Sequence, residues 1–313
     1  MKPAVYVVRA LPGGIPPELH ASLEIRGGTT RPAPRPVMLR EAAGAAILAP
    51  TYLDPVDEAL LAALPGLRFV CSYGVGVNHI DLEACRRRGV TVTNTPGVVT
   101  NATADLAFGL LLAAARRVCE LDRAIRAGRW TEVDPSAWLG TEVTGKTLGI
   151  VGFGRIGQAV ARRARGFEIR LLYAGPREVP FEGARRVPLE ELLAASDFVS
   201  LHVPLTPATE NLLSRERIRS MKRGAILVNT ARGPVVDDEA LAEALADGHL
   251  AAAGLDVFRD EPRVPEPYRR LENVVLTPHV GSGSRETREA MSRMVWDEVE
   301  RAATGREARN RVV

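Results

Sequence analysis

Lys146-Thr-Leu-Gly-Ile-Val-Gly-Phe-Gly-Arg-Ile-Gly-Gln-Ala-Val-Ala161 decides how the chain is read. The apolar run Leu148–Val151 predicts a buried strand, Gly152-x-Gly154-x-x-Gly157 follows it without a spacer, and a helical pattern follows the glycines. A dinucleotide pyrophosphate needs this strand, turn and helix: the first glycine allows a tight turn, the second lets backbone amides approach the phosphates, and the third lets helix and strand pack closely. The helix start adds unpaired N–H groups and a partial positive charge. The motif therefore predicts Gly152, Gly154 and Gly157 at a cofactor site.

At 313 residues the chain is long for one core and predicts two domains. The longest apolar run, Leu106–Ala115, stops at Arg116-Arg117, short of the ~20 residues a membrane span requires. Met1–Val8 lacks the features of a secretory leader and reads as a first strand. Cys71, Cys85 and Cys119 form no C-x-x-C pair, so neither a disulfide framework nor a metal site is expected, and a reducing cytoplasm fits. The net charge of +3 is spread among acidic residues, which argues against nucleic acid as a partner. All but three of the 41 basic residues are arginines, a skew that carries no functional reading.

Short apolar segments alternate with helical or loop segments from the start: Val5–Val8, Ala46–Ala49, Leu67–Cys71 and Val90–Thr93. That rhythm predicts an α/β fold with a parallel sheet. Gly27–Pro36, rich in proline and glycine, is expected to lack regular structure. Ser72-Tyr-Gly-Val-Gly-Val-Asn78 is a second glycine-rich turn after a strand; its amides suit a carboxylate, but on sequence alone it reads more readily as an ordinary strand-to-helix turn. One long helix is expected from near Asn101 through Ile125, because Leu106, Leu110, Ala114, Val118, Leu121 and Ile125 recur at helical spacing. Further strands are expected near Ile169–Tyr173, Phe198–Leu201, Ala225–Asn229, Ala251–Leu255 and Val274–Leu276, and a helix from Arg285 through Val299.

The last three of those strands run into Arg232, Asp256 and His279. Ligands of open α/β sheets sit beyond the carboxyl ends of strands, so these groups are expected in one crevice. His279 is the candidate proton donor, since imidazole titrates near neutrality. Glu261 is positioned in sequence to fix its tautomer. Arg232 offers a planar fork of donors to a carboxylate. Asp256 is expected to accept from a nicotinamide carboxamide, with strand capping as the plainer role.

Gly152-x-Gly154-x-x-Gly157, Asn229-Thr-Ala-Arg-Gly233, Asp256-Val-Phe-x-x-Glu-Pro262 and Thr277-Pro-His-Val-Gly-Ser282, in this order, resemble the D-isomer-specific 2-hydroxyacid dehydrogenases. The resemblance spans essentially the whole chain. It is closest to the glyoxylate/hydroxypyruvate reductases through Trp138-Leu-Gly140, Gly145–Gly152 and Pro204–Thr209. It implies two Rossmann-like, doubly wound parallel-sheet domains, with a dinucleotide-binding domain (99–285) inserted into a substrate domain (1–98 and 286–313). It implies a homodimer formed largely through the cofactor domains, and a catalytic set of Arg232, Glu261 and His279. Val75 and Gly76 would hold the substrate with Arg232 and His279, and Trp138 would select it, with plain packing as the rival for that tryptophan. Arg155, Ile156, Gly175, Arg177, Val203, Thr209, Ala231 and Gly281 would join the glycines around the dinucleotide, and Thr103, Pro204, Thr230 and Asp256 would line the nicotinamide side.

The expected activity is NAD(P)H-dependent reduction of a short 2-oxo acid to the D-2-hydroxy acid. Alternatives are 2-ketogluconate reductase, phosphoglycerate dehydrogenase, or a dinucleotide-sensing binding protein like the family's corepressors. Phosphoglycerate dehydrogenase is disfavoured because no regulatory domain follows Val313, and formate dehydrogenase because Glu261 replaces the glutamine of that branch. Enzymes that use NAD usually place an acid about 20 residues past the glycine motif, where it meets the ribose hydroxyls. The nearest position here is Gly175, followed by Arg177. Without that acid, and with Arg177 available to a 2′-phosphate, NADP(H) is expected to be preferred and NAD(H) possible.

Overall fold

The computed structural model describes residues 2–313. The chain divides into two compact units, Met1–Val99 with Ser282–Val313, and Thr100–Gly281.

The first unit holds a five-stranded sheet of β1 (Ala4–Val7), β2 (Glu24–Gly27), β3 (Ile47–Ala49), β4 (Phe69–Cys71) and β5 (Thr91–Thr93), in the order β2-β1-β3-β4-β5. Every pairing is parallel. Strands of such a sheet are covered on both faces and read as apolar runs rather than alternations; Val5, Ile47, Leu48, Val70 and Val92 are each at most 1% exposed. The helix Arg285–Ala303 belongs to this unit and buries Met291, Val295, Trp296 and Val299 against it. Ser284 caps that helix, its hydroxyl accepting from the amide of Thr287.

The second unit holds a seven-stranded sheet of β6 (Thr147–Val151), β7 (Arg170–Ala174), β8 (Ala184–Arg186), β9 (Phe198–Leu201), β10 (Ala225–Asn229), β11 (Leu250–Leu255) and β12 (Val274–Leu276), in the order β12-β11-β10-β9-β6-β7-β8. All pairs are again parallel. The chain moves outward from β6 to β8 and then restarts on the other side with β9, so the order reverses between β6 and β9. Crevices of doubly wound sheets that bind ligands form at such a reversal. The fold class is the one expected: two parallel α/β sheets.

The long helix expected from Asn101 through Ile125 is two helices, Thr100–Ala115 and Val118–Arg126. Arg117 adopts a left-handed backbone conformation (φ 53°) that ends the helical ladder. Its guanidinium bonds both carboxylate oxygens of Glu120, at 2.9 and 2.6 Å, and so holds the joint. Periodicity continues across the break because both helices present apolar residues, which is why the pattern did not reveal it. Two short strands, β2 and β8, carried no apolar run, and the proline-rich segment ends in a helix, Arg35–Glu41, started by Pro34.

The helix Thr100–Ala115 lies on the sheet because β11 carries Gly254: a β-carbon there would stand 2.8 Å from the Leu110 β-carbon. Gly254→Val is therefore expected to lower the unfolding free energy by about 1–3 kcal/mol, as overpacking does. Urea denaturation followed by tryptophan fluorescence measures it, and an unchanged midpoint would refute the close contact.

Candidate active site

β11 runs directly into Asp256, which is 1% exposed. Its Oδ1 accepts from the Thr277 hydroxyl (2.6 Å) and the Val280 amide (2.8 Å), and its Oδ2 accepts from the Gly281 amide (2.7 Å). Burial pushes this carboxyl up, and the three donors oppose that. The carboxylate thus moulds the loop after β12. Oδ2 has a single partner, so beside this loop-holding role the carboxylate keeps acceptor capacity for a carboxamide N–H.

That loop presents His279, whose backbone is left-handed (φ 52°). A β-carbon makes this conformation costly, about 1–3 kcal/mol, and surroundings must hold it. They do: the His279 amide donates to the Asp256 carbonyl at 2.8 Å, and Nδ1 lies 2.6 Å from Oε2 of Glu261. The other oxygen of Glu261 accepts from the Phe258 amide at 3.0 Å. Burial pushes the Glu261 carboxyl up, but the bond and charge of His279 outweigh it and hold the group below the usual carboxylate range. Glu261 is therefore an anion at neutral pH, and its partner nitrogen is the one that keeps a proton. The reactive nitrogen of His279 is left as Nε2.

Arg232 follows β10. Asn229 shapes its loop, Oδ1 accepting from the Ala231 amide and Nδ2 donating to the Arg232 carbonyl. Gly233 comes next, and a β-carbon there would lie 2.0 Å from the Phe258 carbonyl carbon. The Arg232 loop is therefore pressed against the segment that carries Glu261, and the positive charge of Arg232 is among the influences that lower the Glu261 carboxyl. Three strand ends thus bring the Arg232 loop, Glu261 and His279 together, with Asp256 holding the His279 loop.

A second cluster fits a dinucleotide. Gly152 has φ 93°, and a β-carbon on it would meet the His202 carbonyl oxygen at 2.5 Å; one on Gly157 would meet the Gly152 oxygen at 2.3 Å. A β-carbon on Gly154 would meet nothing within 4 Å, so the space beside the backbone is open to a ligand where the helix Arg155–Ala164 begins. The pairing of Ile150 with Ser200, and of Val228 with Ser200 and Gly254, continues one pleat further as a row of Gly152, His202, Thr230 and Asp256. In that row the Thr230 hydroxyl and His202 Nδ1 are buried with no protein partner among the described residues. Such atoms are rare in proteins and mark places a ligand or water completes. Burial pushes the His202 imidazole down to about 4, so it is neutral there. Gly281 closes the row from above, since a β-carbon on it would lie 3.3 Å from the Thr103 methyl. The Thr209 hydroxyl donates to the Pro204 carbonyl at 2.6 Å and closes the loop after β9, which also carries the half-buried Val203. These residues fit a dinucleotide.

At the end of β7, Gly175 lies beside the glycine turn, its β-carbon position 3.8 Å from the Phe153 amide nitrogen. Arg177 is exposed. Arg186, which the sequence reading missed, donates to the Gly175 carbonyl through Nε (3.2 Å) and Nη2 (2.9 Å). It sits on β8, a strand without an apolar signature, so only the pairing of β7 with β8 reveals it.

Within the first unit, the turn after β4 has a fixed shape: Asn94 Nδ2 donates to the Val75 carbonyl at 2.8 Å. Neither Val75 nor Gly76 donates its amide to another described residue. Trp138 stands apart, half-exposed, lining an apolar cleft of about 200 Å³ with Leu121, Ala124, Ile125 and Trp130. Among the described residues no cluster suits a metal ion, and no helix is long and apolar enough to cross a membrane.

A doubly wound sheet with a glycine turn at its reversal point, and a histidine–glutamate pair at neighbouring strand ends, defines a nicotinamide-dinucleotide-dependent oxidoreductase. Residues 108–281 match the D-isomer specific 2-hydroxyacid dehydrogenase, NAD binding domain. The glyoxylate reductase of Korarchaeum cryptofilum is 50% identical over 303 residues, 94% of this chain and 91% of that protein. That of Pyrococcus furiosus is 48% identical over 304 residues, with 94% and 90% covered. A crystal structure of the NADPH-dependent glyoxylate/hydroxypyruvate reductase of Sinorhizobium meliloti with NADP and malonate superposes with a TM-score of 0.87 at 33% identity, covering 100% and 97% of the two chains. The chain belongs to the D-isomer specific 2-hydroxyacid dehydrogenase family.

The lowered Glu261 carboxyl sets a pH test. A group whose folded value lies below its unfolded one contributes stability that is complete above the ordinary value of 4.5 and is lost as pH falls through the folded value. Melting temperature should therefore fall more steeply between pH 6 and 3 in the unmodified protein than in Glu261→Gln. Parallel curves would show that the carboxylate is not linked to folding.

Proposed function

We propose that this protein reduces glyoxylate and hydroxypyruvate with NADPH as the preferred reductant. The observation that carries the chemistry is the 2.6 Å contact between Glu261 and His279, next to the Arg232 loop. In this reading Thr100–Gly281 binds the dinucleotide and the other unit binds substrate. When bound, the reduced nicotinamide supplies a hydride to the keto carbon. The protein supplies the rest. His279 gives the proton on Nε2 to the carbonyl oxygen as negative charge develops there, and Glu261 stabilises the imidazolium before transfer. Arg232 orients the 2-oxo acid with its planar fork of donors. Within the first unit, the amides of Val75 and Gly76 are free to donate to a carboxylate. Asp256 acts through the loop it holds.

NADPH preference rests on the ribose end of the site. No carboxylate stands at Gly175, and Arg177 and Arg186 lie in or beside that loop without an acid partner among the described residues. Arg185, by contrast, is paired with Glu191 at 2.8 Å. The exposed apolar residues Val118, Ile125, Trp130, Val133 and Leu139 fit a second copy of the chain, which would also cover the Trp138 cleft. Size-exclusion chromatography with light scattering tests that, a monomer at micromolar concentration being the contrary result.

Purified protein with NADPH or NADH and a panel of 2-oxo acids tests the activity. Turnover of glyoxylate and hydroxypyruvate is expected, with kcat/KM for NADPH above that for NADH by about 10- to 100-fold. Equal or better use of NADH would remove the preference, and no turnover of either acid would remove the reductase reading. His279→Gln should lower kcat by about 10² to 10⁴ while leaving cofactor affinity nearly intact. An unchanged kcat would take His279 out of the proton transfer.

A further inference from the structure

A second arginine in the first unit has no part in the chemistry above. Arg288 lies in the first turns of the helix Arg285–Ala303, and its guanidinium carbon stands 5.6 Å from the centroid of the Tyr52 ring and 6.0 Å from that of Tyr73. Its Nη1 and Nη2 reach the Tyr52 hydroxyl only at 3.5 and 3.4 Å. No carboxylate among the described residues pairs with it, although Arg293 on the same helix pairs with Glu289 and Arg9 nearby in sequence to β1 pairs with Asp54. Burial works against this half-buried cation, but the two tyrosines more than offset it and keep the guanidinium charged, so it stands ready to attract an anion.

The surroundings are built to hold it. Asp54 fixes the loop that carries Tyr52, accepting from the Thr51 amide and hydroxyl at 2.9 and 2.7 Å and from Arg9 Nε at 2.8 Å. The Tyr73 hydroxyl donates to the Arg288 carbonyl at 3.2 Å. Tyr52 and Tyr73 follow β3 and β4, and the turn with the two unused amides begins at the next residue, Gly74, whose β-carbon position is 3.2 Å from the Tyr52 β-carbon. A guanidinium without a carboxylate partner among the described residues, two amides without an acceptor, and a clamped aromatic pair therefore meet at the carboxyl edge of one sheet.

We propose that Arg288, held between Tyr52 and Tyr73 beside the Gly74–Gly76 turn, binds the substrate carboxylate and gives the first unit an anion affinity of its own. The amides fix the carboxylate's orientation, and Arg288 supplies the charge that two neutral donors lack. A planar guanidinium suits this place because it stacks between rings and still presents N–H edges; an ammonium does one or the other. The inference rests on the reductase reading for the name of the ligand, not for the existence of the site.

The test is made on the full chain with Arg288→Gln and Arg288→Lys, using oxalate as the probe carboxylate by calorimetry without cofactor, and glyoxylate with NADPH in steady state. Arg288→Gln is expected to weaken oxalate binding and to raise KM for glyoxylate by the same factor, about 10- to 100-fold, with KM for NADPH and the melting temperature unchanged; Arg288→Lys should recover only part. Oxalate binding that is unaltered in Arg288→Gln, or a fall in kcat and melting temperature with KM for glyoxylate unmoved, would overturn the proposal and leave Arg288 as a packing residue. If the unmodified protein failed to reduce any 2-oxo acid yet bound oxalate through Arg288, the reductase reading would fall and this site would stand.

Discussion

A single buried carboxylate organises the chemistry of this fold. Asp256 is the first residue past β11, and water does not reach it. It is kept there by three donors from one loop, so removing it would strand two backbone amides and a hydroxyl at once. Each such loss costs roughly 1–3 kcal/mol when the group stays buried. The energy is local, and the consequence is local too: the loop so fixed is the one that forces His279 into a left-handed conformation and aims its ring at Glu261. Strain at one residue is held by hydrogen bonds two strands wide. The charge on Asp256 contributes as much as its shape, because an amide in its place would turn a donor toward amides that can only donate.

Glycines do the complementary work of bringing backbones together. At Gly152, Gly157 and Gly233 the positions a β-carbon would take are within 2.5 Å of another segment's backbone atoms. At Gly154 the same position is empty. The contrast separates two uses of one residue type. The first three permit close packing, respectively of strand on strand, helix on turn, and the arginine loop on the segment that carries the glutamate. The fourth leaves backbone amides uncovered at a helix start, where a phosphate finds donors and a favourable dipole.

How much of this was legible in sequence follows the same division. Parallel strands buried on both faces are short apolar runs, and ten of the twelve were read to within about two residues of the ends found here. The two missed strands, β2 and β8, are edge strands with exposed residues such as Arg185 and Arg186, so nothing apolar marked them. The break at Arg117 was hidden because amphipathic spacing survives a change of helix direction, while a left-handed arginine has no composition signal. Arg232, Glu261 and His279 were legible because each follows a strand closely. Arg186 and Arg288 were not, since their meaning depends on what lies beside them in space: a carbonyl on the next strand in one case, two tyrosines more than 200 residues away in chain order in the other.

The two acidic residues near His279 have opposite electrostatic fates, and the difference explains their division of labour. Both carboxyls are raised by burial, but Asp256 is answered mainly by neutral donors and ends above its ordinary value, whereas Glu261 faces the imidazole and ends below it. A carboxylate surrounded by neutral N–H and O–H groups is a good mould for a loop, because its partners keep one protonation state throughout. A carboxylate bonded to an imidazole does something else: its attraction is stronger to the imidazolium than to the neutral ring. Glu261 therefore works on the histidine's charge, while Asp256 works on its position. Exchanging the two environments would give a histidine correctly placed but electrostatically unsupported, or one well supported but free to leave its left-handed loop.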